Sequence, residues 1–309
     1  MRIVYMGTPE FAVPPLRALC ECGRAPVMTV TQPDRRRDRG KRLQSPPVKD
    51  MSGEYAIPVI QPLSLTNNTE FRELLTDAAP DLIVVAAYGR ILPADVLSLP
   101  RLGCINIHAS ILPAYRGAAP IQRAVMNGER ETGVTLMHMA ETMDTGDIIA
   151  VRKTNIENKT AGELFDELSR MGARLLTDTL PCIETGRAPR RPQDESKACY
   201  APMIRKEDAH VDFSKSSDAV CSLIRGMNPH PIAFARMGDA MLKLWEAFPI
   251  PVTRPGPAGT AVSISDDGIS VAAGDGAVLI TVIQSPGKRP MRVAEYLRGN
   301  KIHTGAIFT

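Results

Sequence analysis

The run Asp81-Leu82-Ile83-Val84-Val85-Ala86-Ala87 (DLIVVAA) decides the fold class, because it is continuously apolar and alternates with helix-like segments. Such a run is typical of a strand that is covered on both faces within a parallel sheet. Further strands are predicted at 2–7, 27–31 and 104–108, with helix-like spacing of apolar residues between them. Up to about residue 185 the pattern therefore predicts a doubly wound α/β fold.

The turn after the first strand excludes a dinucleotide site. A single glycine, Gly7, is followed there by Thr-Pro-Glu, so the phosphate-binding pattern G-x-G-x-x-G is missing. We therefore predict a Rossmann-like sheet that does not bind NAD. Its ligand is still expected at the carboxyl ends of the strands, where such sheets bind their ligands.

The chain length, 309 residues, predicts two domains. The first is predicted at 1–187. Residues 188–206 are rich in Arg, Pro, Lys and acidic residues, which favours a linker. Residues 207–309 contain a helix and then short strands separated by Gly-Asp and Asp-Gly turns, which favours a small OB-like β-barrel.

Composition excludes several other classes of protein. With 44% hydrophobic and 23% charged residues, the chain is neither disordered nor fibrous. No apolar run reaches the roughly 18 residues of a membrane span, and residues 1–7 indicate a strand rather than a signal peptide, so we expect a cytoplasmic protein. The six cysteines are scattered, which indicates neither a zinc site nor a disulfide framework. The net charge of +3 alone predicts no nucleic-acid partner.

Polar residues mark the end of the strand at 104–108. Residues two apart in a strand share a face, so Asn106 and His108 point to the same side, just before a loop with several prolines at 110–120. An apolar loop beside polar side chains indicates a ligand pocket. A carboxylate, Asp144, follows in a turn at 141–147. Hydrogen-bonded rim residues and an ordinary Asx turn are the structural alternatives for these side chains.

An Asn, a His and an Asp can together catalyse acyl transfer to an amine. The amide of Asn106 and a protonated His108 can stabilise the oxyanion that forms when an amine attacks a carbonyl. A carboxylate at Asp144, if close to the imidazole, can fix its orientation and favour its charged form.

Several sequence blocks, in the same order, resemble those of the folate-dependent formyltransferases. The blocks are Asn106-x-His108-Ala109-Ser110-Ile111-Leu112-Pro113, Arg116-Gly117-Ala118-Ala119-Pro120-Ile121-Gln122, Glu131-Thr132-Gly133-Val134-Thr135 and Met143-Asp144-Thr145-Gly146-Asp147. The resemblance extends over nearly the whole chain and implies that 1–187 is the formyltransferase catalytic domain. It implies that Asn106, His108 and Asp144 are catalytic, and that 10-formyltetrahydrofolate is the co-substrate, with no metal. It also implies that Ser110, Ile111, Leu112 and Pro113 contact the folate. Ala109 and Ile111 are small apolar departures from the family pattern.

The acceptor of the formyl group is suggested by a basic segment at 31–49. Arg35, Arg36, Arg37, Arg39, Lys41 and Arg42 stand there against only Asp34 and Asp38. The segment is similar in position to the loop with which some family members engage the acceptor stem of methionyl initiator tRNA. By that likeness we expect Arg39, Lys41 and Arg42 to contact tRNA phosphates.

The sequence is also compatible with other partners and functions. The second domain is nearly balanced in charge, with 12 Arg and Lys against 10 Asp and Glu from residue 205 onward, so electrostatics alone does not identify it as an RNA binder. A small barrel is nevertheless a common nucleic-acid platform. The alternatives are a solvated basic loop, a formyltransferase or hydrolase acting on a small molecule, and a non-enzymatic RNA-binding protein. We expect no membrane association and no obligate protein partner.

Overall fold

The computed structural model of the protein describes residues 1–37, 42–252 and 256–309, with the backbone alone at 36, 37 and 42. The chain forms two compact units that are interleaved in sequence. The first comprises Met1–Pro120, Thr132–Thr154 and Phe165–Pro202, and the second Ile121–Glu131, Asn155–Leu164 and Met203–Thr309. The segment predicted as a linker, 188–206, is thus divided between the two units.

Up to residue 202 the chain alternates strands and helices. The strands are β1 Ile3–Gly7, β2 Met28–Val30, β3 Arg35–Arg37, β4 Arg42–Gln44, β5 Val59–Ile60, β6 Leu82–Ala86, β7 Cys104–His108, β8 Arg116–Gly117, β9 Glu131–His138, β10 Ile148–Asn155 and β11 Tyr200–Ala201. The helices are α1 Val13–Glu21, α2 Pro47–Glu54, α3 Thr69–Asp77, α4 Ala94–Leu97, α5 Pro120–Met126 and α6 Ala161–Glu184.

A sheet with the strand order β10-β9-β7-β6-β1-β2-β5 forms the centre of the first unit. The pairs from β5 to β7 are all parallel. Every residue of β1 and of β6 is buried, as expected for strands that are covered on both faces. The predicted α/β core with a parallel sheet is therefore confirmed.

One edge of this sheet departs from the predicted parallel pattern. Strand β9 pairs with β7 in the antiparallel direction, and β10 follows it at the edge. The sequence pattern predicted neither strand. The antiparallel neighbour places residues from the middle of β9 beside the carboxyl end of β7, where Asn106 and His108 lie.

Residues 203–309 form an antiparallel sheet with two helices. The elements are α7 Ser217–Gly226, β12 Ala233–Met237, β13 Ala240–Ile250, β14 Ala261–Ser265, β15 Gly268–Ala272, β16 Ala277–Gln284, β17 Met291–Arg292 and α8 Val293–Leu297. The strand order is β12-β13-β16-β15-β14, and β17 adds to β16. Alternate residues face a common core that includes Leu242, Ile269, Ile280 and Phe308. A small OB-like β-barrel was predicted here, and of that prediction the antiparallel sheet is confirmed.

The last residues of the chain connect the two edge strands of this sheet. The N–H of Ala261, at the start of β14, donates to the carbonyl of Ala306 (2.8 Å). Arg236 of β12 and Thr309 exchange two backbone hydrogen bonds of 2.6 and 2.8 Å. Within the described residues β12 and β14 do not pair directly, and the C-terminal segment lies between them.

All six cysteines are free thiols. Across the described ranges of the chain, no helix combines the length and the apolar character needed to cross a lipid bilayer.

Candidate active site

Strand β7 carries Asn106 and His108 to the carboxyl edge of the sheet. Along the strand, Asn106 lies opposite Met137 and His108 lies opposite Thr135 of β9. His108 is 6% exposed, whereas Asn106 is half-buried. The Asn106 amide has no hydrogen-bond partner among the residues that the structure describes, so its donors and acceptor are available to a ligand.

Both ring nitrogens of His108 face oxygen atoms. The Nε2 atom lies 2.9 Å from the carbonyl oxygen of Tyr115, and the Nδ1 atom lies 3.6 Å from Oδ2 of Asp144. Because a carbonyl only accepts, Nε2–H is the donor in the first contact. Only a ring protonated at both nitrogens presents a proton to both oxygens. The ring thus lies between a carbonyl and a carboxylate, and the carboxylate can orient it.

A glycine holds the Asp144 carboxylate in place. The backbone N–H of Gly117 donates to Oδ2 of Asp144 at 2.8 Å. Gly117 has a φ of 116°. A Cβ there would lie 2.7 Å from the ring of Tyr200 and 2.9 Å from the carbonyl oxygen of Ala201. Only glycine lets the backbone approach this closely.

The two residues that contact His108 both have left-handed backbones. Tyr115 has a φ of 61° and Asp144 a φ of 56°, which is uncommon outside glycine. Such conformations persist only where the surroundings impose them. Here the surroundings are side chains and backbone from 189–202, in particular Gln193, which donates to the carbonyl of Asp144 (2.9 Å). No local pattern indicates this role, because Gln193 lies 49 positions after Asp144.

The predicted folate-contacting loop packs tightly beside β7. Ser110 and Leu112 are 1% and 3% exposed. The Ser110 hydroxyl donates to the carbonyl of Ala114 (2.6 Å). Thr135, which the sequence analysis did not single out, donates to the carbonyl of Ser110 (2.7 Å) and accepts from the N–H of Leu112 (3.1 Å). Ser110 and Leu112 thus fix the shape of the loop, while Ile111 and Pro113 are half-buried.

A cleft of about 460 Å³ opens at the carboxyl ends of β1, β2 and β6. Among its lining residues are Thr8, Gln32 and Ala87. Gly7 of β1 pairs with Ala86 of β6, and Ala86 pairs with Ile107 of β7. Thr8, Ala87 and His108 each come one position later, so the cleft and the His108 side chain lie along the same sheet edge, one to two strand spacings of about 4.8 Å apart. This edge is where the sequence predicted a ligand.

The basic segment forms a hairpin beside the cleft. Strands β3 and β4 pair in the antiparallel direction, and Arg35 and Gln44 line the cleft. Of the predicted tRNA-contacting residues, Arg39 and Lys41 lie outside the described residues. Arg42 begins β4, and its side chain is outside the description as well.

A charged cluster joins the two ends of this hairpin. The ammonium of Lys49 donates to both carboxylate oxygens of Asp34 (2.8 Å each) and to Oε1 of Gln61 (2.9 Å). The Gln61 amide in turn donates to Asp34 Oδ1 (2.8 Å). The hydrogen bonds from Lys49 and then Gln61 hold the pKa of Asp34 below its usual value. Asp34 precedes β3 and Lys49 follows β4, so the cluster fixes the base of the hairpin.

Metal ligation has no support in the described part of the chain. No group of three His, Cys, Asp or Glu side chains there could hold a metal ion. The polar residues of the site are an amide, an imidazole and a single carboxylate, a set that suits hydrogen bonding to a developing negative charge.

Comparison with protein families agrees with this geometry. The family described as Formyl transferase matches residues 1–180, and the one described as Formyl transferase, C-terminal domain, matches residues 203–301. The chain belongs to the formyl transferase family. The predicted resemblance and the predicted class of enzyme are thereby confirmed.

Relatives in the formyl transferase family are similar over their full length. The chain is 46% identical over 308 residues to the methionyl-tRNA formyltransferase of Moorella thermoacetica, and 44% identical over 308 residues to that of Clostridioides difficile. Each alignment covers 99% of this chain and 99% of the relative. Among solved structures, HypX from Aquifex aeolicus in complex with tetrahydrofolic acid has the same fold. Its TM-score is 0.62 at 21% identity, and the match covers 99% of this chain and 50% of that chain.

Proposed function

We propose that this formyl transferase moves the formyl group of 10-formyltetrahydrofolate to the α-amino group of methionyl initiator tRNA. One observation carries the proposal: the Asp144 carboxylate lies 3.6 Å from Nδ1 of His108, with Asn106 two positions earlier on the same strand, at a sheet edge that also holds a cleft and the β3–β4 hairpin. The names of the full-length relatives, 44% and 46% identical, support the choice of acceptor.

The proposed reaction needs no nucleophilic side chain. The methionyl amine attacks the formyl carbon, and the carbonyl oxygen becomes an oxyanion. The Asn106 amide and Nδ1–H of His108 stabilise this charge, since Nε2 is occupied by the Tyr115 carbonyl. The new C–N bond remains when the bond from carbon to N10 of the folate breaks. The proton lost by the amine balances the one gained by N10.

Asp144 keeps the imidazolium in place during these steps. At 3.6 Å its carboxylate is close enough to stabilise the positive ring without taking Nδ1–H in a short hydrogen bond. That proton therefore stays available to the oxyanion. The side of the site near Ser110 to Pro113 is where we place the folate.

The acceptor is proposed to enter from the hairpin side. Arg35 lines the cleft two positions after Pro33 and carries a positive charge there, and in the sequence Arg39, Lys41 and Arg42 follow in the same segment. Their attraction for phosphates suits an RNA end that reaches into the cleft. A substrate of translation also places the enzyme in the cytoplasm.

We further propose the domain boundaries 1–187, 188–206 and 207–309, with an OB-like barrel in the last of these. The C-terminal residues that bridge β12 and β14 support a barrel-like closure, because they provide hydrogen bonds to both edges of the open strand order.

The proposal is tested by a direct assay with purified protein, 10-formyltetrahydrofolate and charged initiator tRNA. We expect formylmethionyl-tRNA and stoichiometric tetrahydrofolate. Absence of product with an active donor contradicts the proposal. Donor turnover that is unchanged when the RNA is omitted would instead indicate a small-molecule acceptor or a hydrolase.

The Arg39→Ala substitution tests the basic segment separately. We expect a higher KM for tRNA, an unchanged KM for the folate, and a salt dependence of tRNA binding that is weaker by about one unit of slope. Arg187→Ala, at an exposed arginine outside this segment, is the control. Equal losses for folate and tRNA would show that Arg39 does not contact the RNA.

A further inference from the structure

Residues 189–202, called the strap, contact the two loops that hold the partners of His108. One loop contains Tyr115 and the other contains Asp144. At one end Arg191 exchanges two backbone hydrogen bonds with Ile148 (2.8 and 3.1 Å). At the other end β11 pairs with β8, which places Tyr200 beside Arg116 and Ala201 beside Gly117. These contacts fasten most of the proposed linker to the first unit.

Gln193 lies in the middle of the strap, where its amide joins both loops. Its two N–H donors go to the carbonyls of Asp144 (2.9 Å) and Gly146 (2.7 Å). Its oxygen accepts from Nε (3.1 Å) and Nη2 (2.8 Å) of Arg116. Donors and acceptor are thus fully used inside the protein, and all four contacts are to groups around the His108 site.

Arg116 is held from the other side by Glu195. Its Nη1 and Nη2 donate to the two Glu195 oxygens at 2.9 and 2.7 Å, a bidentate pair. This hydrogen bonding raises the pKa of Arg116 and lowers that of Glu195. The guanidinium is therefore a fixed, permanently charged donor, and Gln193 has a rigid partner on which to align its amide.

The strap also forms hydrogen bonds directly with the backbone of the loop that contains Tyr115 and Arg116. The Arg116 N–H donates to the carbonyl of Cys199 (2.9 Å), and the Tyr115 N–H donates to the Cys199 sulfur (3.2 Å). Tyr115 and Asp144, the two left-handed residues that face His108, are therefore both bonded to the strap. Such backbones are strained and need external support.

We propose that Gln193 is a positioning residue for Asp144 and, through it, for His108. This inference rests on the proposed function, in which Asp144 orients the imidazolium. The amide of Gln193 fixes the carbonyls on both sides of the Asp144 turn, so the carboxylate stays 3.6 Å from Nδ1. Gln193 touches no substrate in this role.

The test is Gln193→Glu, which keeps the shape and the acceptor for Arg116 but replaces both N–H donors by a carboxylate that repels the two carbonyls. We expect kcat to fall between about 10- and 100-fold, since a displacement of about 1 Å at a catalytic group has effects of that size. KM for both substrates should stay unchanged. In ¹⁵N-histidine NMR spectra, the His108 ring signals should shift while those of His210, His230 and His303, which belong to the second unit, stay in place.

Two further variants make the result decisive. Gln193→Ala removes the same bonds without adding repulsion and serves if Gln193→Glu does not fold. Gln284→Glu is the matched control, because Gln284 likewise donates to a backbone carbonyl, that of Lys288, in the second unit. The control should alter neither kcat nor the His108 signals.

Different results overturn the positioning role of Gln193 and the proposed function. A folded Gln193 variant with unchanged kcat and unchanged His108 signals overturns the positioning role. A wild-type protein that forms no formylmethionyl-tRNA overturns the proposed function, and the His108 spectra alone then decide whether Gln193 positions the ring.

Discussion

At the scale of single residues, the site depends on side chains that are fixed before any substrate binds. His108 is buried between a carbonyl and a carboxylate, and Asp144 is held by the N–H of Gly117. Asn106 has no partner among the described residues, and Nδ1 of His108 lies 3.6 Å from Asp144, so both keep hydrogen-bonding capacity for a ligand. A preorganised set of donors costs little reorganisation at the transition state, which is where such sites obtain their rate.

Substitution of Asn106 should therefore affect the chemical step. We expect Asn106→Ala to lower kcat by about 100-fold or more, with KM for both substrates nearly unchanged, because in the proposed reaction the amide donates to a charge that exists only in the transition state. Asn300→Ala, which removes a hydrogen bond to the carbonyl of Tyr296 in the second unit, is the control. Steady-state formylation kinetics provide the measurement, and a purely KM effect would argue against an oxyanion contact.

Comparison of Gly117 with Gly103 tests the close approach of the backbone at Gly117. Both have positive φ, 116° and 78°, but a Cβ at Gly103 meets nothing within 4 Å. We expect Gly103→Ala to cost about 1 kcal/mol from backbone strain alone, measured by urea unfolding. Gly117→Ala adds a clash with Tyr200, so its loss should be larger by a few kcal/mol. It should also lower kcat, whereas the Gly103 variant should keep full activity. Equal losses in the two variants would contradict the close approach.

At the scale of elements, the hairpin β3–β4 is anchored through Asp34, Lys49 and Gln61. The pKa of Asp34 is lowered in the folded protein, so its carboxylate contributes stability above the pKa of an unfolded Asp, about 3.9. That contribution is lost as the pH falls through the lower, folded pKa.

We therefore expect Asp34→Asn to be less stable than the wild type at pH 7, and the difference to shrink as the pH falls below about 4. Urea unfolding at several pH values measures it. Asp266→Asn, in an exposed turn, is the control and should show no such trend. A difference that grows towards acid pH would show that the carboxylate is not stabilised by Lys49.

Much of the fold could be predicted from the sequence at this scale, because the parallel strands have recognisable sequence patterns. The residues of β6 and β7 are apolar enough to be recognised without any tertiary information. Strand β9 was missed because its buried residues include Thr132, Gly133, Thr135 and His138, which give neither an apolar run nor alternation.

The features that the sequence pattern did not predict depend on contacts between residues that lie far apart in the chain. Helix α6 contains Gly162, Gly172 and Pro181, which weaken a helical pattern. A Cβ at Gly172 would lie 2.7 Å from Ile107, so the glycine lets the helix pack closely against β7. Strand geometry alone predicts that Asn106 and His108 share a face of β7. The support from Gln193 and Thr135 could not be predicted, because those residues lie far along the chain and carry no chemistry of their own.

At the scale of the whole molecule, the two units have separate cores. Phe308 is 2% exposed in the core of the second unit and meets Phe213 edge to face, and Phe71 is 2% exposed in the first. Replacement of either by alanine should cost about 3–5 kcal/mol. We expect calorimetry to show two transitions, of which Phe308→Ala lowers one and Phe71→Ala lowers the other. If each variant shifts a single common transition, the units unfold as one cooperative body.

The interleaving of the two units has a consequence during protein synthesis. Ile121–Glu131 and Asn155–Leu164 leave the ribosome with the first unit but belong to the second, whose remaining residues begin at Met203. The unit is complete only 178 positions after Glu131 and 145 positions after Leu164, so at roughly 5–20 residues per second these two segments wait about 7–36 s. During that interval apolar side chains such as Met126, which packs against the core of the second unit, lack their final neighbours. A chaperone that binds short apolar segments of nascent chains has its target there.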